Sequence, residues 1–207
     1  EIDHGVGQIL AELKNSGLDK NTIVVFTSDN GPWLIMNQEG GSAGLLREGK
    51  GSTWEGGMRE PCIFWGPGRI QPGLVTQIGT TMDLFTTFSK LANVPLPEDR
   101  QMDGNDLGPT LFEKKPSERK EVFYYRGDEL YAVRLGAFKA HFITEGAYGP
   151  PMREEHDPPL LYNLEVDPSE KYNVAESNPD VIEQIKALVK IHNLNLVKGE
   201  DQLKDRG

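Results

Sequence analysis

The stretch that decides the fold is TIVVFTSDNGPW, residues 22–33. Residues 22–27 form a continuous apolar, β-branched run, which is typical of a strand buried on both faces of a parallel sheet. The run ends abruptly at Ser28-Asp29-Asn30-Gly31, where oxygen-bearing side chains replace apolar ones. In open α/β sheets, ligands bind beyond the carboxyl ends of the strands. The stretch therefore predicts an α/β fold with a polar site at residues 29 and 30.

On either side of this strand, predicted helices and strands alternate along the chain, as they do in an α/β domain. Apolar residues recur at helical spacing in residues 2–13, and Gly17 is well placed to end that helix. Cys62 begins a second short apolar strand, in which we expect it to be buried. Residues 82–92 read as a helix whose buried side would be formed by its apolar residues, which are Met82, Leu84, Phe85, Phe88, Leu91 and Ala92.

The pattern changes after the polar stretch at residues 103–120. Short runs with period-two alternation follow, at residues 122–126, 130–136, 138–143 and 159–164, and they predict an antiparallel sheet. Asn178-Pro179 then opens a final helix. We therefore predict two domains, an α/β part at residues 1–115 and a small antiparallel sheet covered by a helix at residues 116–207.

The composition narrows the classes of partner. The chain has 207 residues and a formal net charge of -10, from 32 acidic and 22 basic residues. This balance argues against a nucleic acid and against an anionic membrane surface, because both attract basic proteins. A single cysteine excludes an intrachain disulfide. Because the chain opens at Glu1 without a methionine and enters a helix almost at once, we expect it to be the later part of a longer protein.

Asp29, Asn30 and Lys50 are the residues in this region best suited to chemistry. A carboxylate and a carboxamide oxygen are hard ligands that suit calcium or magnesium, although an Asx turn would use the same pair. Lys50 lies between Gly49 and Gly51, so its ammonium can approach a sulfuryl or phosphoryl group, or it can remain a solvated surface charge. Arg59 and Glu60 are expected to form a buried pair that braces the glycine-rich loop of residues 31–57.

Several of these motifs occur in the order found in a known family. TSDNGP (27–32), GGSAGLLREGKGSTWEGGMREP (40–61) and MDLFTTFSKLANVPLP (82–97) are followed by FYYRGDELYAVRLGAFKAHFIT (123–144) and PPLLYNLEVDPSEKYNV (158–174). The chain thereby resembles the C-terminal half of the type I sulfatases, most closely the arylsulfatase A and N-acetylgalactosamine 6-sulfatase group. The resemblance implies an alkaline-phosphatase-like fold, with part of a large mixed sheet, flanking helices and a small C-terminal antiparallel sheet with a helix.

The resemblance also implies roles for individual residues. Asp29 and Asn30 correspond to the second pair of ligands for a divalent cation, usually Ca²⁺ and less often Mg²⁺. Lys50 corresponds to the lysine that contacts the substrate sulfate and stabilises charge on the bridging oxygen. His141 would lie near the organic part of the substrate, with a satisfied core histidine as the alternative. His4 does not match the catalytic histidine of the family and is expected at the surface.

Other family elements have no counterpart in these residues. The nucleophile is a formylglycine made from a Cys/Ser-x-Pro-x-Arg sequence, and no such sequence occurs in residues 1–207. The first pair of metal aspartates is also missing. We therefore expect a missing N-terminal half as the partner, and a complete enzyme that cleaves a small sulfate ester or sulfated sugar while this chain alone is inactive. Two alternatives are a phosphodiesterase or phosphonate hydrolase of the same superfamily, and a non-catalytic calcium-dependent carbohydrate-binding protein.

Overall fold

The computed structural model describes residues 1–199, which form two compact units. The first unit comprises residues 1–29 and 60–120, and the second comprises residues 30–59 and the chain from residue 121. The second unit thus contains residues 30–59, which the sequence assigns to the α/β part. Residues 200–207 of the predicted C-terminal domain lie outside the described residues.

The helices and strands follow in a simple order along the chain. They are α1 (Ile2–Asn15), β1 (Val24–Thr27), α2 (Glu55–Met58), β2 (Cys62–Trp65), α3 (Met82–Leu91), α4 (Gly108–Glu113), β3 (Glu121–Arg126), β4 (Glu129–Leu135), β5 (Phe138–Thr144), β6 (Glu154–Asn163) and α5 (Pro179–Asn195). No helix within residues 1–199 is long and apolar enough to cross a bilayer.

In the first unit, β1 and β2 form an antiparallel pair. Val24 lies opposite Trp65, and Thr27 lies opposite Cys62. The prediction of a parallel neighbour buried on both faces is therefore wrong for this pair, and Phe26 is 41% exposed. The prediction that Cys62 is buried is also wrong, since this residue is exposed. A short apolar run does not encode the direction of its partner or the number of covered faces.

Helix α3 forms where the sequence predicts it, but it buries the opposite face. The buried residues are Asp83, Thr86 and Thr87. The apolar side chains expected to be buried include four that are exposed in this unit, which are Met82, Phe85, Phe88 and Leu91. The polar face is covered because its side chains form hydrogen bonds with a later segment of the first unit. For example, the Thr86 hydroxyl donates to the carbonyl of Gly104 at 2.9 Å.

Asp83 is the main polar anchor of the first unit. Its carboxylate is fully buried, pairs with the guanidinium of Arg119, and accepts hydrogen bonds from the backbone N–H groups of Thr80 and Asn105, both at 2.7 Å. Burial acts to raise the pKa of Asp83, but the hydrogen bonds from Arg119, Asn105 and Thr80 outweigh it and hold the pKa below its usual value. The carboxylate is therefore charged in the folded protein.

The second unit contains a four-stranded antiparallel meander, which confirms the predicted sheet. The strand order is β3-β4-β5-β6, with Ala140 in the middle of β5 opposite both Val133 and Leu161. Helix α5 lies against the apolar face that these three residues form, through Ile182 and Ile185. The apolar residues of α5 thus form the side that packs on the sheet, as expected for a helix that covers it.

We expect Asp83→Ala to lower the free energy of unfolding by about 3–5 kcal/mol, because the change removes the buried carboxylate that pairs with Arg119 and accepts from two backbone N–H groups. Urea denaturation at neutral pH measures this loss. The pKa of Asp83 is lower in the folded protein than in the unfolded chain. Its contribution to the free energy of unfolding is therefore fully present above the unfolded pKa and is lost as the pH falls through the folded pKa. Asp3→Ala, at an exposed position on α1, is the control, and equal stabilities of the two variants would contradict the assignment.

Candidate functional site

The glycines of the loop at residues 31–57 allow the backbone at its start, residues 31 and 32, to contact the backbone of residues 49–56. A Cβ on Gly31 would lie 1.8 Å from the carbonyl oxygen of Gly56, so no larger residue fits there. Gly49 is similarly close to Pro32, since a Cβ would lie 2.4 Å from the Pro32 carbonyl oxygen. The backbone N–H of Lys50 donates to that same oxygen at 2.9 Å. The backbone that carries Lys50 is therefore held in place.

A buried ionic cluster, formed by Glu55, Lys139, His141 and Glu170, ties this loop to the sheet. The Lys139 ammonium donates to a Glu55 oxygen at 2.9 Å and to the Thr53 carbonyl at 2.7 Å, and it lies 3.3 Å from a Glu170 oxygen. All four side chains of the cluster are at most 1% exposed. Charges buried this completely are tolerated only when they are paired and hydrogen-bonded, as they are here.

Within this cluster, the carboxylate of Glu55 has three cationic neighbours, which are Arg59, Arg134 and Lys139. Burial acts to raise its pKa, but Lys139 and Arg59 lower the pKa to about 2. Arg59 lies 2.6 Å from Glu55, so the predicted Arg59–Glu60 pair is wrong and Glu55 is the actual partner. The reason is helical geometry, since positions 55 and 59 are one turn apart in α2 and its C-cap.

His141 is a core residue of this unit. Its Nε2 lies 2.7 Å from Glu170, and its ring centroid is 4.1 Å from that of Trp54. Burial, with Lys139 adding to it, lowers the pKa of His141 to about 4 against the opposing effect of Glu170. The imidazole is therefore neutral at neutral pH, and its Nε2–H donates to the carboxylate. His141 is thus buried, as in the core alternative, but its Nδ1 is buried without a hydrogen-bond partner among the described residues, so the ring is only partly satisfied.

Trp54 and Glu170 complete the attachment of the loop to the sheet. The Arg47 guanidinium lies 3.6 Å above the Trp54 ring and donates to the backbone carbonyl of Glu170 at 3.0 Å. The Glu170 carboxylate also accepts from the backbone N–H of Glu55 at 2.7 Å. Sequence reasoning missed these contacts. One signal could have indicated the buried cluster. Lys139 and His141 are two residues apart in a strand, so both side chains lie on the same face of the sheet.

Asp29 and Asn30 lie just after Ser28, beyond the end of β1 as predicted; Asp29 is exposed and ends a segment of the first unit, and Asn30 is half-buried and begins the second unit. In the first unit, Asp29 has a second carboxylate near it, because burial and the charge of Asp29 raise the pKa of Glu60. Among the described residues, Oε1 of Glu60 is buried without a hydrogen-bond partner. Residues 1–199 contain no cluster of three or more His, Cys, Asp or Glu side chains that could hold a metal by themselves.

Lys50 is exposed in the second unit, and its ammonium lies 5.8 Å from the centroid of the Trp33 ring. His141, the other predicted substrate contact, is fully buried in the same unit. These two residues therefore do not share an exposed surface. His4 is exposed on α1, as predicted.

Comparison with known proteins identifies the family. Residues 1–94 match the Sulfatase family, and residues 117–207 match the family described as the C-terminal region of aryl-sulfatase. The chain belongs to the sulfatase family. This confirms the resemblance seen in the sequence motifs.

Individual relatives agree with this membership. Arylsulfatase A of Homo sapiens is 40% identical over 91% of this chain, and N-acetylgalactosamine-6-sulfatase of Mus musculus is 42% identical over 98% of it. The crystal structure of the PsFucS1 sulfatase from Pseudoalteromonas sp. matches 93% of this chain with a TM-score of 0.83 and 29% identity. The chain spans 41%, 44% and 42% of the lengths of these three proteins.

The buried histidine predicts a specific pH dependence of stability. Because the folded pKa of His141 is about 4 and the ordinary value is 6.5, the unfolded chain binds an extra proton between these values. Stability should therefore fall as pH drops through this window. His141→Gln should have a shallower dependence than the wild type between about pH 7 and pH 4, measured by urea denaturation. The exposed His4→Gln is the control. Identical slopes for His141→Gln and the wild type would refute the assignment.

Proposed function

We propose that the complete protein is a sulfuric ester hydrolase and that this chain supplies its C-terminal part. The observation that carries the proposal is the exposed ammonium of Lys50, held on a loop that the buried ionic cluster attaches to the sheet. Membership of the sulfatase family supports the reaction type. The test is hydrolysis of an aryl sulfate by the complete protein, since a non-catalytic carbohydrate-binding protein would leave the ester intact.

Lys50 stabilises the charge that develops as the S–O bond breaks. Sulfuryl transfer, like phosphoryl transfer, depends mainly on positioning and on neutralising charge at the peripheral and leaving oxygens. The Lys50 ammonium would donate to the bridging oxygen as it becomes anionic. The backbone of Lys50 is held by Pro32, which limits the positions that its ammonium can reach.

Asp29 and Asn30 are proposed to bind Ca²⁺, with Mg²⁺ the less expected ion, because their oxygens are hard ligands. The surroundings of Asp29 fit a cation. Glu60 has a buried carboxylate oxygen without a hydrogen-bond partner among the described residues, and its pKa is raised by burial and by the charge of Asp29. A divalent cation bound there supplies positive charge to substrate oxygens as a Lewis acid. Calcium takes about six to eight oxygens, so we propose that further ligands come from upstream residues.

The N-terminal half is proposed to supply the formylglycine nucleophile, because residues 1–207 contain no Cys/Ser-x-Pro-x-Arg sequence. The first unit has surfaces that such a half would cover. The exposed apolar side of α3, which includes Phe85 and Phe88, is one of them, and the exposed Phe26 of β1 is another. We propose that β1 and β2 belong to a larger mixed sheet in the complete enzyme.

The substrate is proposed to be a sulfated sugar or a simple sulfate ester. A relative that is 42% identical is named N-acetylgalactosamine-6-sulfatase, which supports a sulfated sugar. We assign His141 to positioning rather than to substrate contact, since it is fully buried and acts through Glu170.

Asp29→Ala in the complete enzyme should abolish turnover and lower calcium retention, while the fold is maintained. The physical reason is the loss of a charged ligand from a site with few others on this chain. Elemental analysis of the purified protein measures the metal, and circular dichroism checks the fold. Asp3→Ala is the control. Wild-type calcium content together with wild-type activity in Asp29→Ala would show that the site lies elsewhere.

Lys50→Met should raise the barrier to S–O cleavage by about 2–4 kcal/mol, the range found when one preorganised electrostatic donor is removed. The loss in kcat should be largest for sulfate esters with poor leaving groups and should shrink as the leaving group becomes a weaker base. A series of substituted aryl sulfates measures this trend. Lys190→Met, which removes an exposed charge from α5, is the control. Near-normal kcat of Lys50→Met for poor leaving groups would make Lys50 a solvated surface charge.

A further inference from the structure

Ser169 and Glu170, two adjacent residues after β6, hold the segment that carries Lys50 from its N-terminal side. The Ser169 hydroxyl donates to the backbone carbonyl of Leu45. The backbone carbonyl of Glu170 accepts from the Arg47 guanidinium at 3.0 Å. These two contacts lie five and three residues before Lys50 in sequence. The chain that leads into the lysine is therefore attached at two points.

Glu170 also holds this segment from its C-terminal side. Its carboxylate accepts from the backbone N–H of Glu55 at 2.7 Å, five residues after Lys50. Glu170 is fully buried, and its φ of +52° lies in the left-handed region that residues other than glycine rarely adopt. Such a conformation persists only where the surroundings fix it, and it is found preferentially at functional sites. One buried residue thus bonds the chain on both sides of the lysine.

The turn at residues 167–172, which contains both anchors, is itself closed and attached to the sheet. The buried Asp167 carboxylate accepts from the backbone N–H of Lys171 at 2.7 Å. On the inner side of the turn, the Glu170 carboxylate lies 2.7 Å from Nε2 of His141 in β5. The turn is therefore a fixed point to which the segment at residues 45–55, here called the Lys50 segment, is bonded.

Lys50 depends on such anchors because of its neighbours in sequence. It lies between Gly49 and Gly51, and Gly51 has a φ of +90°. Glycine leaves the backbone free to sample many conformations, and the lysine ammonium ends a flexible four-carbon stem. The attached positions on either side therefore limit where the Lys50 Cα lies and which volume its ammonium reaches. A cationic group lowers a transition-state barrier most when its position is set before the reaction.

We propose that Glu170 and Ser169 are positioning residues for ester cleavage and that they act through Lys50. The proposal rests on the proposed hydrolase function. Glu170 is buried, so it acts without touching the ester. When one side of the Lys50 segment is released, the ammonium samples positions away from the bridging oxygen and kcat falls. The defect should therefore be a weaker form of that in Lys50→Met, with the larger loss of kcat for poor leaving groups.

The test is a double-mutant cycle in the complete protein, with phenyl sulfate as the ester with a poor leaving group. Glu170→Gln keeps the size of the side chain but has one acceptor oxygen instead of two, so it cannot accept from both Glu55 and His141. We expect kcat to fall about tenfold in Glu170→Gln, and less than about twofold when the same change is made in Lys50→Met. Glu165→Gln, at an exposed glutamate after β6, is the matched control.

Ser169→Ala is the milder second variant, and it carries the same test if Glu170→Gln does not fold. We expect kcat for phenyl sulfate to fall about threefold in Ser169→Ala, because one hydrogen bond is lost, and to be unaffected by this change in Lys50→Met. Equal losses of kcat with Lys50 present and absent would overturn the proposal, because a general loss of folded protein produces that result.

Hydrogen exchange measured by mass spectrometry separates this inference from the proposed function, since it needs no turnover. Exchange in residues 45–55 should accelerate about tenfold in Glu170→Gln and about threefold in Ser169→Ala, and it should accelerate more than exchange in β4. Equal acceleration in β4 would overturn the local role. A wild type that hydrolyses phenyl sulfate, with kcat and exchange unchanged in both variants, would overturn the positioning role alone. A wild type without turnover would refute the hydrolase function and the catalytic role of the two anchors with it, whatever the exchange rates.

Discussion

The fully buried ammonium of Lys139 is the constraint on which the second unit depends. It is compensated by the carboxylates of Glu55 and Glu170, which come from segments 84 and 31 residues away in sequence. Removing one member of such a cluster leaves an uncompensated charge in the interior, at a penalty of about 3–5 kcal/mol. The loop that contains Glu55 therefore cannot leave the sheet independently, which explains why residues 30–59 belong to this unit.

This constraint has a direct consequence for the proposed role of Lys50. A cationic group lowers a transition-state barrier most when it is already in position, because no reorganisation is then required. Lys50 lies five residues before Glu55 in sequence, and the intervening chain is anchored by Thr53 and Trp54. The interior of the unit thus provides the rigidity, while the exposed ammonium remains free to meet an anionic group. Burial and the proposed catalytic role are thus assigned to neighbouring residues of one short segment.

Some parts of the fold could be predicted because local patterns determine them. The strands of the C-terminal sheet follow period-two alternation, and α5 follows an apolar stripe with Asn178-Pro179 at its start. The buried face of α3 could not be predicted in the same way. Its apolar stripe is exposed in this unit, and the carboxylate of Asp83 occupies the interior because Arg119, far along the chain, neutralises it.

The candidate site was similarly only partly predictable. Asp29, Asn30 and Lys50 are proposed as site residues from the family motifs and from two local signals, which are polar residues after a strand and a lysine between glycines. Glu170 was not recognisable, since it bonds Glu55 across 115 residues of chain, and Trp54 was not, since it packs on the distant His141. The Arg59 pairing was wrong for a local reason, because Arg59 caps α2 one turn after Glu55 and pairs with that carboxylate.

The central claim is that this chain holds Lys50 and two cation ligands of a sulfatase whose nucleophile lies upstream. Complementation tests this claim most directly. Residues 1–207 are assayed with a chromogenic aryl sulfate, alone and after co-expression with the preceding segment of the same reading frame. We predict no hydrolysis by residues 1–207 alone, and hydrolysis when a segment that contains Cys/Ser-x-Pro-x-Arg is present. Hydrolysis by residues 1–207 alone, or inactivity of the co-expressed pair with its formylglycine formed, would contradict the claim.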